Sequence, residues 1–218
     1  MGGLIAGGTD PADIVATVRR AERADELAKR HHGITAIAGA EEPENNKQAA
    51  TGSGVVILGV KPVGIADLAR EIGDSLAPDT IVISVAAAVS VEQLEAALPA
   101  GQPVIRSMPN TPAQLGRGVI SVSPGTHCSP AQLQLAKDLL ASAGTVVRHR
   151  RTLQGVPVMD PAVDLTLRLV ALPLGGRAQD DHRLALETGH VHQRLHREDG
   201  ARPVSLDEVG RVEQPPPT

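Results

Sequence analysis

Ile81-Val82-Ile83-Ser84-Val85-Ala86-Ala87-Ala88-Val89 leads through a helical spacer and Pro99-Ala100-Gly101 to Val104-Ile105-Arg106-Ser107-Met108-Pro109-Asn110-Thr111-Pro112. Each half reads as a short strand that closes in small or polar residues. β-Branched residues suit a strand covered on both faces, and the spacer supplies the crossover of a parallel pair. In open α/β sheets, ligands bind at the carboxyl ends of such strands. Ala86, Ala87 and Ala88 carry almost no side chain, so a flat ring could lie against their backbone. Pro109 and Pro112 fix φ on either side of Asn110-Thr111 and hold two hydrogen-bonding side chains in place. The plain alternative is a strand followed by a proline-rich turn.

Working outward, the pattern repeats. Ile14-Val15-Ala16-Thr17-Val18, Ile34 to Ala38, Val55-Val56-Ile57-Leu58-Gly59-Val60, Val119 to Ser123 and Thr145-Val146-Val147 all read as short strands. Between them, Glu22 to His32 and Gly64 to Leu76 carry helical spacing, and Glu41 to Gln48 is loop-like or helical. Ser90 with Gln93 is a capping box, and Ser129-Pro130 a favoured helix start. That last helix is expected to run to about Ala143, with Gly144 as its C-cap. Central strands are expected at Val55–Val60, Ile81–Val85 and Val104–Arg106. The alternation of strand and helix is the doubly wound α/β pattern.

The whole-chain numbers narrow the class. At 218 residues there is room for one large domain or two small ones. A net charge of −4 gives no basic excess for nucleic acid or a membrane surface. No run reaches transmembrane length, and the N-terminus lacks the form of a signal peptide. Cys128 is the sole cysteine, so no internal disulfide forms and the cytoplasm is the expected compartment. Cys128 is expected to be a partly buried free thiol. There is no Phe, Tyr or Trp, so the core must be built from Val, Ile, Leu and Ala, and no aromatic face can stack a base or nicotinamide.

The segments Val82-Ile83-Ser84-Val85-Ala86-Ala87-Ala88-Val89-Ser90 and Arg106-Ser107-Met108-Pro109-Asn110-Thr111-Pro112, with Ile57-Leu58-Gly59-Val60-Lys61-Pro62, resemble three motifs of the pyrroline-5-carboxylate reductases in order and spacing. The resemblance covers roughly residues 1 to 147. It implies an NAD(P)H-dependent reduction of 1-pyrroline-5-carboxylate to L-proline, the last step of proline biosynthesis, by hydride transfer to an imine carbon. It further implies a Rossmann-like sheet whose first strand is lacking, since the chain opens at the Met of the family's G-x-G-N-M-G motif. Gly2 then matches the motif's final small residue. Arg19 and Arg20, at the end of the second Rossmann strand, would face a 2′-phosphate, so NADP is the expected cofactor and NAD the alternative. The other reading of this pair is a solvated helix start partnered by Glu22 and Glu26. Val60, Lys61 and Pro62 would line ribose and pyrophosphate, and Ala86, Ala87 and Asn110 the nicotinamide. The family has Gly where this chain has Ala88, which would crowd the ring. No side chain stands out as a general acid, so the catalytic residue is unknown.

After Val147 the character changes. Lys137 is the last lysine, yet ten arginines and five of the eight histidines follow Val147. The resemblance implies a helical second domain here that binds substrate and makes a homo-oligomer, but no motif of it is recognisable. Residues 148–218 are therefore expected to be an irregular or partly helical tail that packs poorly and is cut first by a protease. The switch of basic residue reads as translation in a shifted frame, a hypothesis that resequencing the gene through this region in one frame would overturn. His190-x-His192-x-x-x-His196 has metal-like spacing without a matching carboxylate or cysteine set, and no metal is expected. Two functions follow: a reductase of doubtful activity, or a non-catalytic nucleotide-binding fragment or partner of an intact reductase.

Overall fold

The sequence Val-Val-Ile-Leu has no polar side to turn to water, and β3 (Val55–Leu58) is buried along its whole length. The same holds for β4 (Ile81–Ser84) beside it. In the computed structural model, which describes residues 1–39, 44–148 and 167–173, these two strands lie at the middle of an eight-stranded sheet. Its order is β2-β1-β8-β3-β4-β5-β6-β7, with β1 (Val15–Val18), β2 (Thr35–Ala38), β5 (Val104–Pro109), β6 (Gly118–Pro124), β7 (Gly144–Arg148) and β8 (Leu167–Leu172). The pairs β1–β2, β3–β4 and β4–β5 are parallel. β8 is antiparallel to both β1 and β3, so β1 to β5 all run one way.

Helices cover both faces. One face holds α1 (Gly2–Ala6), α2 (Ala21–Arg30) and α6 (Pro130–Ala141), whose Leu4, Leu27 and Leu133 pack on Val18, Ile57, Ile83 and Ile105. The other holds α3 (Asn45–Ala50), α4 (Ile65–Gly73) and α5 (Val91–Ala97), packed on Val56, Leu58, Val82 and Val104. α4 shows how the pattern acts. Ile65, Leu68, Ala69 and Ile72 recur at helical spacing and are buried, while Asp67 and Arg70 pair at 3.0 Å in solvent. Each fully buried Ile or Leu contributes about 1.5–3 kcal/mol. The expected capping box of Ser90 with Gln93 forms, and the helix start at Ser129-Pro130 carries a second one, Ser129 with Gln132.

The doubly wound sheet expected from sequence is thus present, with three departures. First, β6 returns antiparallel to β5. Only the short 3-10 turn Thr111–Leu115 separates them, too little chain for a crossover, which takes a dozen residues or more. Second, α6 ends at Ala141, and Gly144 opens β7 with φ +142° rather than capping the helix. A Cβ there would stand 2.0 Å from the Gly118 carbonyl oxygen, so glycine permits the β6–β7 approach.

The third departure lies in the expected tail. Leu167–Leu172 is a strand, and it fills the central place between β1 and β3 where a doubly wound sheet otherwise carries its first strand. The reason is hydrogen bonding. β1 and β3 each turn a ladder of N–H and C=O groups toward this place, and buried groups of that kind must be paired. Val170 and Leu172 join the core of one face and Ala171 that of the other, as period two requires. The remaining tail expectations, with His190, His192 and His196, fall outside the described residues.

Candidate cofactor site

The shared direction of β1 to β5 brings their carboxyl ends to one edge. β1 delivers Arg19 and Arg20 there. Val18 is fully buried, so the chain emerges abruptly, and both arginines are exposed. Arg20 is the N-cap of α2. One of the partners foreseen for this pair goes elsewhere. Glu26 bonds Arg23 at 2.7 Å, and that hydrogen bond holds its carboxyl below the usual range, helped by the charges of Arg23, Arg30 and Arg20. Among the described residues Arg19 and Arg20 form no ion pair.

β3 delivers Gly59, Val60, Lys61 and Pro62. Gly59 is buried, Val60 and Pro62 are half-buried, and Lys61 is exposed ahead of the 3-10 turn Pro62–Gly64. Gly64 folds back on Val60, where an added Cβ would lie 3.7 Å from Cγ2. Lys61 is a third cation without an ion pair among the described residues.

β4 delivers Ala86 and Ala87, which are only 2% and 6% exposed, so their methyl groups belong to the core rather than to a ligand surface. The Ala86 N–H donates to Ser84 Oγ at 3.3 Å. Ala88 is exposed and has φ +58°, the sole non-glycine residue of positive φ among the described residues. That conformation costs an L-residue about 1–2 kcal/mol. It persists because Val89 is buried beyond it and Ser90 is locked in its capping box.

β5 delivers Asn110. Its Oδ1 accepts the Val119 N–H at 2.9 Å, which ties the end of β5 to β6. Arg106 lies opposite Ser84 in the ladder, and its Nε is buried without a hydrogen-bond partner among the described residues. Only a strand register could have singled it out.

Gly2 stands apart from the rest. An added Cβ there would lie 3.6 Å from His31 Cε1, and His31 follows α2 and precedes β2. Gly2 is therefore near the amino edge of β1 and β2, away from Arg19 and Arg20. The cause is the shortness of α1, which leaves for β1 after one turn and a half.

Elsewhere, burial raises the Cys128 thiol above its usual range, which suits an unreactive free thiol. Among the described residues no group of His, Cys, Asp or Glu could hold a metal ion, and no helix is long and apolar enough to cross a membrane.

The mainly parallel sheet wound on both faces, with Arg19, Arg20 and Lys61 at its carboxyl edge and without ion pairs among the described residues, is a Rossmann-like module. The family profile described as "NADP oxidoreductase coenzyme F420-dependent" matches residues 1–88. Pyrroline-5-carboxylate reductase of Corynebacterium melassecola is 38% identical over 148 residues, 66% of this chain and 52% of that protein. The Pseudomonas aeruginosa enzyme of the same name is 35% identical over 144 residues, 66% of this chain and 50% of that protein. The structure of a pyrroline-5-carboxylate reductase from Coxiella burnetii superposes with a TM-score of 0.61 at 29% identity, covering 68% of this chain and 53% of the other. Over the matched residues the chain is similar to the pyrroline-5-carboxylate reductases. It spans about half the length of the curated relatives it matches.

Proposed function

We propose that the carboxyl edge binds NADP(H), in the service of NAD(P)H-dependent reduction of 1-pyrroline-5-carboxylate to L-proline. The observation that carries this is the pair Arg19 and Arg20, exposed and without ion pairs among the described residues at the end of β1. A guanidinium fork matches a phosphate bidentately, and at this strand end it meets the 2′-phosphate that separates NADP from NAD. Lys61 and the half-buried Val60 and Pro62 line the pyrophosphate and its ribose. Ala86 and Ala87 act through backbone, since their methyl groups face the core. Asn110 fixes the far wall, because its carbonyl is committed to Val119. When bound, the cofactor supplies the hydride; the chain binds and orients it.

β8 favours a second reading, in which the module binds nucleotide without turnover. In a Rossmann unit the central strand runs parallel and hands the pyrophosphate to a Gly-rich turn and a helix N-terminus. Here the central strand runs the other way, and its amino end meets that edge. The pyrophosphate then depends on side-chain cations, which salt screens. The lost backbone donors reduce the near-attack geometry on which hydride transfer depends, worth up to about 7–11 kcal/mol. NADPH titration followed by a proline-forming assay separates the two. Binding with turnover within about tenfold of an ordinary enzyme's 10 per second selects the reductase, and binding without turnover selects the nucleotide-binding module.

A further inference from the structure

Thr17 on β1 is fully buried, and Asn46 on α3 is 1% exposed. Thr17 Oγ1 donates to Asn46 Oδ1 at 2.6 Å, and Asn46 Nδ2 donates onward to Glu71 Oε1 on α4 at 2.8 Å. Asn45 Nδ2 donates to the Ala38 carbonyl at the end of β2, at 2.7 Å. A hydroxyl and an amide taken out of water gain little over an apolar pair of the same shape, even when bonded. Valine would fill the Thr17 position at equal volume. A buried polar chain is retained with profit where it fixes one arrangement among several.

The place of this chain says which arrangement. Between Thr17 and Val18 the β1–β8 register shifts: Thr17 pairs with Leu169 and Val18 with Leu167, so Arg168 is the extra residue of a bulge. Bulges re-aim the residues beside them. On the other side of β1, the Gly39 N–H donates to the Val18 carbonyl. The next two residues are Arg19 and Arg20. The end of β1 is therefore held by β8, by the β2 end and, through Thr17, by α3 and α4.

We propose that the chain Thr17–Asn46–Glu71 is a positioning device that sets the direction of Arg19 and Arg20, and so sets discrimination between NADPH and NADH. It rests on the phosphate role given above to the two arginines. Thr17 touches no cofactor. Its hydroxyl acts by fixing the backbone two residues before the first of the arginines.

The test uses the full chain with NADPH and NADH, dissociation constants being read from nicotinamide fluorescence. Thr17→Val is expected to weaken NADPH about tenfold and leave NADH unchanged, while Thr17→Ser, which keeps the hydroxyl, retains wild-type preference. Asn46→Ala is expected to reproduce Thr17→Val. Equal weakening of both cofactors, or unaltered preference in Thr17→Val, overturns the proposal. So does unfolding of both variants, which assigns the chain to stability alone. Arg19→Ala with Arg20→Ala is measured alongside. If that variant keeps the preference for NADPH, the phosphate role itself has failed. If it loses the preference and Thr17→Val does not, only the positioning role has failed.

Discussion

β3 has two neighbours of opposite origin. On one side β4 is parallel, joined to it through α4 within a few dozen residues, and carries an apolar run visible at first sight. On the other side β8 is antiparallel and pairs Leu172 with Val55 from far along the chain. The first is specified locally, by pattern, crossover and cap. The second is specified by demand, since a central place in a buried sheet cannot be left with open ladders. Local specification fixes direction as well as position. Demand fixes position only, and here the strand that meets it runs the wrong way for a phosphate-binding turn.

The β4 side should be the harder to perturb without loss of the fold. Ile83 is fully buried between β3 and β5. Ile83→Ala is expected to cost about 2–5 kcal/mol in a denaturant titration, and a change under 1 kcal/mol would show that the central packing is misassigned. On the β8 side, Val170 is 1% exposed. Val170→Ala is expected to cost about 1–3 kcal/mol, less than Ile83→Ala. A stability equal to wild type would remove β8 from the core and with it the contrast drawn here.

At the edge the same contrast appears as binding. Arg19→Ala with Arg20→Ala, beside β8, is expected to weaken NADPH about tenfold without changing NADH, as measured by fluorescence titration. Ala88→Gly, beyond β4, acts on strain instead. Relief of the left-handed conformation is about 1–2 kcal/mol, and the greater freedom of unfolded glycine returns about 0.4–1 of it. A gain of up to about 1 kcal/mol is expected, and a clear loss of stability would mean that Ala88 is not strained.

This division explains what was legible in the sequence. β4, β5, α4 and the caps at Ser90 and Ser129 announce themselves through period and turn chemistry. So does the set of strand ends, whereas the grouping of Arg19, Arg20, Val60, Lys61, Pro62, Ala86, Ala87 and Asn110 at one cofactor site follows from the resemblance to the reductase motifs. Leu167 to Leu172 is apolar apart from Arg168, but nothing in six residues says which ladder they will complete. Gly2 fits a motif letter by letter, yet its place depends on where α1 turns into β1. The positive φ of Ala88 and the burial of Asn46 are likewise set by neighbours, not by propensity.

The central claim is that this edge holds NADP(H) through the exposed cations Arg19, Arg20 and Lys61. Its most direct test is titration of the full chain with NADPH and NADH over a range of salt, followed by nicotinamide fluorescence, to which a chain without Trp adds no background. The account predicts that NADPH binds more tightly than NADH and that this advantage shrinks as salt rises. Equal affinity for the two cofactors at all salt concentrations, or no binding of either, would contradict it.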